Sequence, residues 1–174
     1  MEVLHISFIL NHTMENIIRQ SIGIDISNDD FHACYYSMSL TGHAKRKGKV
    51  RIFRNTMAGF VSLVNWIEKT RHASSLEIFI IMEATGVYHE QLAYFAYDKA
   101  YRISSLLPNT VKAFAKSLNT LSKTDDIDAQ VLAQMGVERK LRSWSPMSPK
   151  IQELKGLSRQ RQAFIKQKNA LTNQ

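Results

Sequence analysis

The 174-residue chain is short of several features, and each shortage excludes something. A single cysteine, Cys34, rules out an internal disulfide framework and fits a reducing cytoplasm. No apolar run reaches the length of a membrane span, so a cytoplasmic protein with no membrane partner is expected. The apolar stretch in the first thirteen residues lacks both a basic flank and a small-residue cleavage site, unlike a secretory signal. Residues 1–20 are read as a disordered or accessory extension. The six histidines show no ligand spacing. Internal repeats and low-complexity tracts are missing. Acidic residues are outnumbered, 15 against 23 Lys and Arg, for a formal charge of +8. That excess points to a polyanionic partner, nucleic acid first. It is steepest from Arg139 onward, where nine basic residues face one acid, Glu153.

What is present reads as an ordered series of elements. Ser21–Ser27 is strand-like and is followed by the turn-forming Asn28-Asp29-Asp30. Phe31–Leu40 reads as the second strand of a hairpin, Thr41–Lys49 as a loop and Val50–Arg54 as a third strand. The period then changes: Phe60, Leu63, Val64 and Ile67 recur at helical spacing behind Asn55 or Thr56 as a cap. Leu76–Met82 is a continuous apolar run of strand length. A helix is expected over 87–99, a fifth strand over 101–107 stopped by Pro108, and helices over 111–118 and 125–140. Ser143–Pro149 reads as a linker, and Lys150–Gln174 as one polar helix whose Leu157, Phe164 and Leu171 lie seven apart, hinting at a coiled coil. The order predicts an α/β fold: a mixed five-stranded sheet over 21–142 with flanking helices, then a linker and a helical arm from 150.

Four acids stand out. Alternation along the first strand puts Ile22, Ile24 and Ile26 on one face and Gly23, Asp25 and Ser27 on the other. Glu83 closes the strand Ile78-Phe-Ile-Ile-Met-Glu83, where ligands of open α/β sheets gather. Asp125 and Asp128, three apart, share a helical stripe that continues into Leu132 and Met135 and so faces the sheet. Asp126 lies about 100° around that helix and is left out of the site. Carboxylates carried into a core are costly unless neutralised, and a pair of hard divalent cations about 4 Å apart would do so. Simpler accounts stand beside this one: acids in a first helical turn offset the helix dipole, and a strand-terminal Glu is often just exposed. Asp25 within an apolar strand has no such ready explanation.

Taken in order and spacing, several stretches resemble the DEDD transposases, the group that includes the Piv pilin-gene invertases and the bridge-RNA-guided insertion-sequence recombinases. They are Ile22-Gly-Ile-Asp25-Ile, Met82-Glu83-Ala-Thr-Gly-Val-Tyr88, Leu106-Leu-Pro108-Asn with Lys112-Ala-Phe-Ala, Lys123-Thr-Asp125-Asp-Ile-Asp128-Ala-Gln-Val-Leu-Ala133, and Leu154-Lys-Gly-Leu157-Ser-Arg159-Gln-Arg161. The resemblance implies a RuvC-like domain of the ribonuclease H fold. It also implies that Asp25, Glu83, Asp125 and Asp128 are catalytic and bind two magnesium ions, or manganese. DNA is the implied substrate, and a structured guide RNA is a possible further partner. A second, carboxyl-terminal transposase domain bearing a nucleophilic serine is implied and is expected to be absent from this chain. An actin-like nucleotide-binding fold, whose first strand can also read Gly-Ile-Asp, would need a later Gly-rich loop and a longer chain. A proofreading-type exonuclease would place Glu two residues after Asp25, where Ser27 stands.

Two groups of cations are candidates for nucleic-acid contact: Lys45, Arg46 and Lys47 in the hairpin loop, and Lys155, Arg159, Arg161, Lys166 and Lys168 on the arm. The arm's apolar seam is expected to pair with another subunit, giving a homo-oligomer.

Overall fold

The computed structural model describes residues 16–72, 75–84, 86–120, 122 and 124–172. Most of the expected accessory extension falls outside these residues. The chain divides into two compact units, 1–144 and 145–174.

The first unit is built on strands β1 (Ile17–Ile26), β2 (Asp30–Ser39), β3 (Ala44–Arg46), β4 (Arg51–Arg54), β5 (Ile78–Glu83) and β6 (Arg102–Leu106). Helices α1 (Met57–Thr70), α2 (Tyr88–Asp98), α3 (Pro108–Ser117) and α4 (Asp125–Glu138) cover the sheet. Strand order is β3-β2-β1-β5-β6, with β4 also paired to β2. β1 and β2 form an antiparallel hairpin, whereas β1, β5 and β6 run parallel. The sheet is therefore mixed, with six strands rather than the five expected. The extra one, β3, lies inside the stretch read as a loop and pairs with Tyr36–Met38 of β2. β1 also begins earlier than the Ser21 expected. Its polar opening is paid for by buried partners: Gln20 accepts from the Tyr35 hydroxyl and donates to Leu76 O at 2.7 Å.

Two apolar layers follow from the period-2 alternation. Ile22, Ile24, Ile78, Ile80 and Met82 pack with Phe60, Leu63, Ile67 and Leu92 beneath α1 and α2. Phe79 and Ile81 point the other way, against Val111, Phe114, Leu132 and Met135 of α3 and α4. Each fully buried side chain of this kind stabilises the fold by about 1.5–3 kcal/mol. Helix starts follow local chemistry: Thr56 and Thr124 cap α1 and α4 through their hydroxyls, and Pro108, expected only to stop a strand, occupies the first turn of α3.

The seam between α4 and β1 decides the placement of the acids. A Cβ on Gly23 would stand 2.1 Å from Ala133 N and 2.2 Å from Ala129 O. One on Gly136 would stand 2.7 Å from Ile81 Cγ1 and 2.8 Å from Ser21 Cβ. With Ala129 and Ala133 fully buried and the Ser21 hydroxyl donating to Ala133 O, the α4 backbone rests directly on β1.

The second unit contains helix α5 (Pro149–Thr172). None of its residues is buried; Leu154, Leu157, Phe164, Ile165 and Leu171 are all exposed.

Candidate active site: a cleft lined by four carboxylates

Asp25 and Glu83 reach one edge because β1 and β5 are parallel neighbours. Ile24 pairs with Met82, so the next residue of each strand falls at the same carboxyl end. The α4 first turn is held by Thr124, whose hydroxyl accepts from Ile127 N at 3.3 Å. Because α4 lies on the Gly23 face of β1, its amino-terminal turn comes down beside Asp25, the next residue on that face. The result is a cleft of about 530 Å³ lined by Asp25, Glu83, Asp125 and Asp128 together. Lys112 and Lys116 of α3, with Asn119, Thr120 and Ser122 beyond it, complete the wall.

The electrostatics record how close the acids are. The Asp25 carboxyl is pushed up from 3.8 to about 6, first by burial and then by Asp128, Asp125 and Glu83 in that order. The one influence in the opposite direction is His32. The other three acids therefore all act on Asp25, although three separate segments of chain supply the four. Asp25 and Asp128 are half-buried and Asp125 is largely exposed. Among the described residues, no three His, Cys, Asp or Glu side chains close around a single point. The arrangement is an open, acid-lined cleft, not a finished cage. Its oxygen-only donors are the hard ligands that magnesium and manganese take.

Sequence reasoning missed His32, one of the six histidines passed over for want of ligand spacing. It pairs with Asp25 across the β1–β2 hairpin, its Nδ1 lies 2.6 Å from Asp126 Oδ1, and its Nε2 lies 3.8 Å from Asp125 Oδ2. It thus ties the first turn of α4 to β2, directly opposite Asp25 in the hairpin. Hairpin register was the signal that could have found it. Lys112 and Lys116 were also missed as cleft residues, although Lys112 stood within a quoted motif. Asp126 does not line the cleft.

The expected loop cations have mixed fates. Lys45 and Arg46 are exposed on β3, and Arg46 Nη1 donates to Gln130 of α4 at 2.9 Å. Lys47 is turned inward, its Nζ donating to Thr70 O at 2.6 Å and lying 5.8 Å from the Tyr35 ring centroid. Lys155, Arg159, Arg161, Lys166 and Lys168 all lie on α5. Among the described residues, no helix is long and apolar enough to cross a membrane.

Known proteins can be set beside this geometry. A family model described as a transposase, that of the DEDD transposases, matches residues 22–174. The pilin gene-inverting protein of Moraxella lacunata is 34% identical over 146 residues, which are 84% of this chain and 43% of that protein. Its counterpart from Moraxella bovis matches to the same extent. The chain thus spans less than half the length of these curated relatives. Among solved structures, RuvC from Thermus thermophilus superposes with a TM-score of 0.50 at 10% identity, covering 72% of this chain and 99% of that one. The fold is RuvC-like.

Proposed function

Because the chain belongs to the DEDD transposase family, we propose that residues 21–142 form the metal-binding catalytic domain of an enzyme that cuts and rejoins DNA during transposition or site-specific inversion. One observation carries the reading. Four carboxylates from β1, β5 and α4 line one cleft, where burial first and then Asp128, Asp125 and Glu83 raise the Asp25 carboxyl to about 6, a cost without structural benefit unless the cleft receives cations. We assign Asp25, Glu83, Asp125 and Asp128 as the residues that would hold divalent metal, magnesium or manganese. Metal bound there would supply charge to offset the negative charge that builds on a phosphorus centre. The chain itself fixes the carboxylates on a rigid sheet-and-helix seam, and Lys112 and Lys116 offer cations to the approaching phosphates. We further assign the exposed seam of α5 to pairing with a second copy of the arm, its basic residues to nucleic acid, and the protein's setting to the cytoplasm, where DNA is available.

The test is magnesium-dependent nicking of supercoiled or branched DNA by the 174-residue chain, lost in Asp25→Asn and Glu83→Gln. Equal nicking by the variants and the parent would defeat the assignment. The partial coverage of the relatives favours a second reading, a nucleic-acid-binding part that needs further sequence to cut. DNA binding with no nicking, alongside intact magnesium binding, would select it.

A further inference from the structure

At the far end of the α4–β1 seam, a second cleft of about 520 Å³ opens beside the last turn of α4. Its wall carries Arg19, Arg102, Arg139 and Lys140, with Glu77 and Phe79 between them. Four cations thus face one acid, and that acid is engaged: Glu77 Oε2 lies 3.3 Å from Arg102 Nη1. Helix capping accounts for one of the cations, since Arg19 Nη1 donates to Val137 O at 3.1 Å. Arg102 is engaged as well, its Nε donating to Ser143 Oγ at 2.9 Å and its Nη2 to Leu141 O at 3.5 Å, which leaves Arg139 and Lys140 without such an account. The Arg102 guanidinium lies 4.3 Å from the Phe79 ring centroid and that of Arg139 lies 5.4 Å from Phe114. Both planes are seated on aromatic rings, which orders them before any ligand arrives. Arg139 and Lys140 are exposed, and no carboxylate among the described residues is paired with either.

The cleft lies on the same side of the sheet as the carboxylates. Arg19 and Asp25 are six residues apart along β1, about 20 Å at 3.3 Å per residue. The fourteen residues of α4 span a similar length, about 21 Å. Helix α3 presents Lys112 and Lys116 to the carboxylate cleft and, through Phe114, supports Arg139. Each cleft thus carries cations of its own, and α3 touches both. With 3.4 Å per phosphate along one strand of duplex DNA, 20 Å corresponds to about six nucleotides.

We propose that this second cleft grips the DNA backbone about six nucleotides from the phosphate presented to the carboxylates, setting the register of the duplex on the enzyme. The inference rests on the reading that the chain engages DNA. It is tested with Arg139→Gln/Lys140→Gln in the 174-residue chain, by anisotropy titration of a labelled duplex of roughly 25 base pairs from about 50 to about 200 mM salt. Loss of two phosphate contacts should lower the slope of log K against log salt by about 1.8. The charge-keeping pair Arg139→Lys/Lys140→Arg should retain the parent slope, which separates charge from packing on Phe114. Stabilisation by magnesium should be the same in all three proteins. An unchanged slope in the Gln pair, with magnesium stabilisation intact, would overturn this cleft and leave the catalytic reading standing. So would a slope that falls only with a duplex RNA probe. Failure of magnesium to stabilise even the parent chain would count against the catalytic reading instead.

Discussion

Replacing Asp25 by asparagine should make the metal-free protein more stable while removing its response to divalent cations. Burial, then Asp128, Asp125 and Glu83, lift the Asp25 carboxyl from 3.8 to about 6. A shift of about two pH units corresponds to roughly 3 kcal/mol at about 1.4 kcal/mol per unit. The side chain is only half-buried, so solvent screening reduces the usable figure to about 1–2 kcal/mol. The sign follows from linkage. A carboxyl that holds its proton more tightly when folded favours the fold at low pH. That contribution is fully present below about 3.8 and is lost as pH rises through about 6. The asparagine variant, having no charge to suppress, should therefore match the parent near pH 3.8 and exceed it above pH 6. For a domain of this size the gain is about 2–8 °C in Tm. Thermal unfolding followed by circular dichroism in excess chelator at pH 7.5 measures the gap, and a second scan with magnesium should raise the parent alone. An asparagine variant no more stable than the parent in chelator, or one that gains equally from magnesium, would refute the account of Asp25 as a strained ligand.

Three further outcomes follow from the packing around the cleft. Gly23→Ala should cost about 3 kcal/mol in denaturant unfolding, because the new methyl meets α4 backbone at 2.1 Å, and a loss under about 1 kcal/mol would mean the seam yields. His32→Ala should cost about 1 kcal/mol and weaken magnesium binding several-fold by calorimetry, since it frees the first turn of α4 from the hairpin; unaltered affinity would remove its positioning role. Thr124→Ala should cost about 1 kcal/mol through loss of the helix cap, and a neutral result would show that packing alone holds the α4 terminus.

Much of the fold was legible because its strongest signals are local. The alternation of Ile22, Gly23, Ile24 and Asp25 assigns the two faces of β1, and the same isoleucines fill the α1–α2 layer. Leu132 and Met135 place that side of α4 against the sheet and Asp128 is half-buried beside them, whereas Asp125, expected to face the sheet with it, is largely exposed at the start of the helix. The misses are set by distant partners. Ala44-Lys45-Arg46 has no strand signature of its own and becomes β3 only because Tyr36–Met38 offers it a ladder. Gln20 closes the stretch read as an accessory extension, yet it is buried in β1 because Tyr35, Leu76 and His72 satisfy its amide. His32 carries no motif, and its place opposite Asp25 depends on the length of the turn between two strands.

Gly23 carries the argument furthest. Its smallness can be read locally as room around Asp25, but the structure gives that space to the α4 backbone. The height at which Asp128 stands beside Asp25 is therefore set by Gly23, Ala129, Ala133 and Gly136, none of which has a side chain able to do chemistry. A cleft that concentrates negative charge needs its acids held within a fraction of an ångström against their own repulsion, and close backbone contact is stiffer than interlocking long side chains. Changes on this seam should accordingly act on metal affinity as strongly as changes of the acids themselves, even where the four carboxylates are intact. The proposed site is thus written twice in the chain, once as four acids and once as the run of small residues that fixes the distance between them.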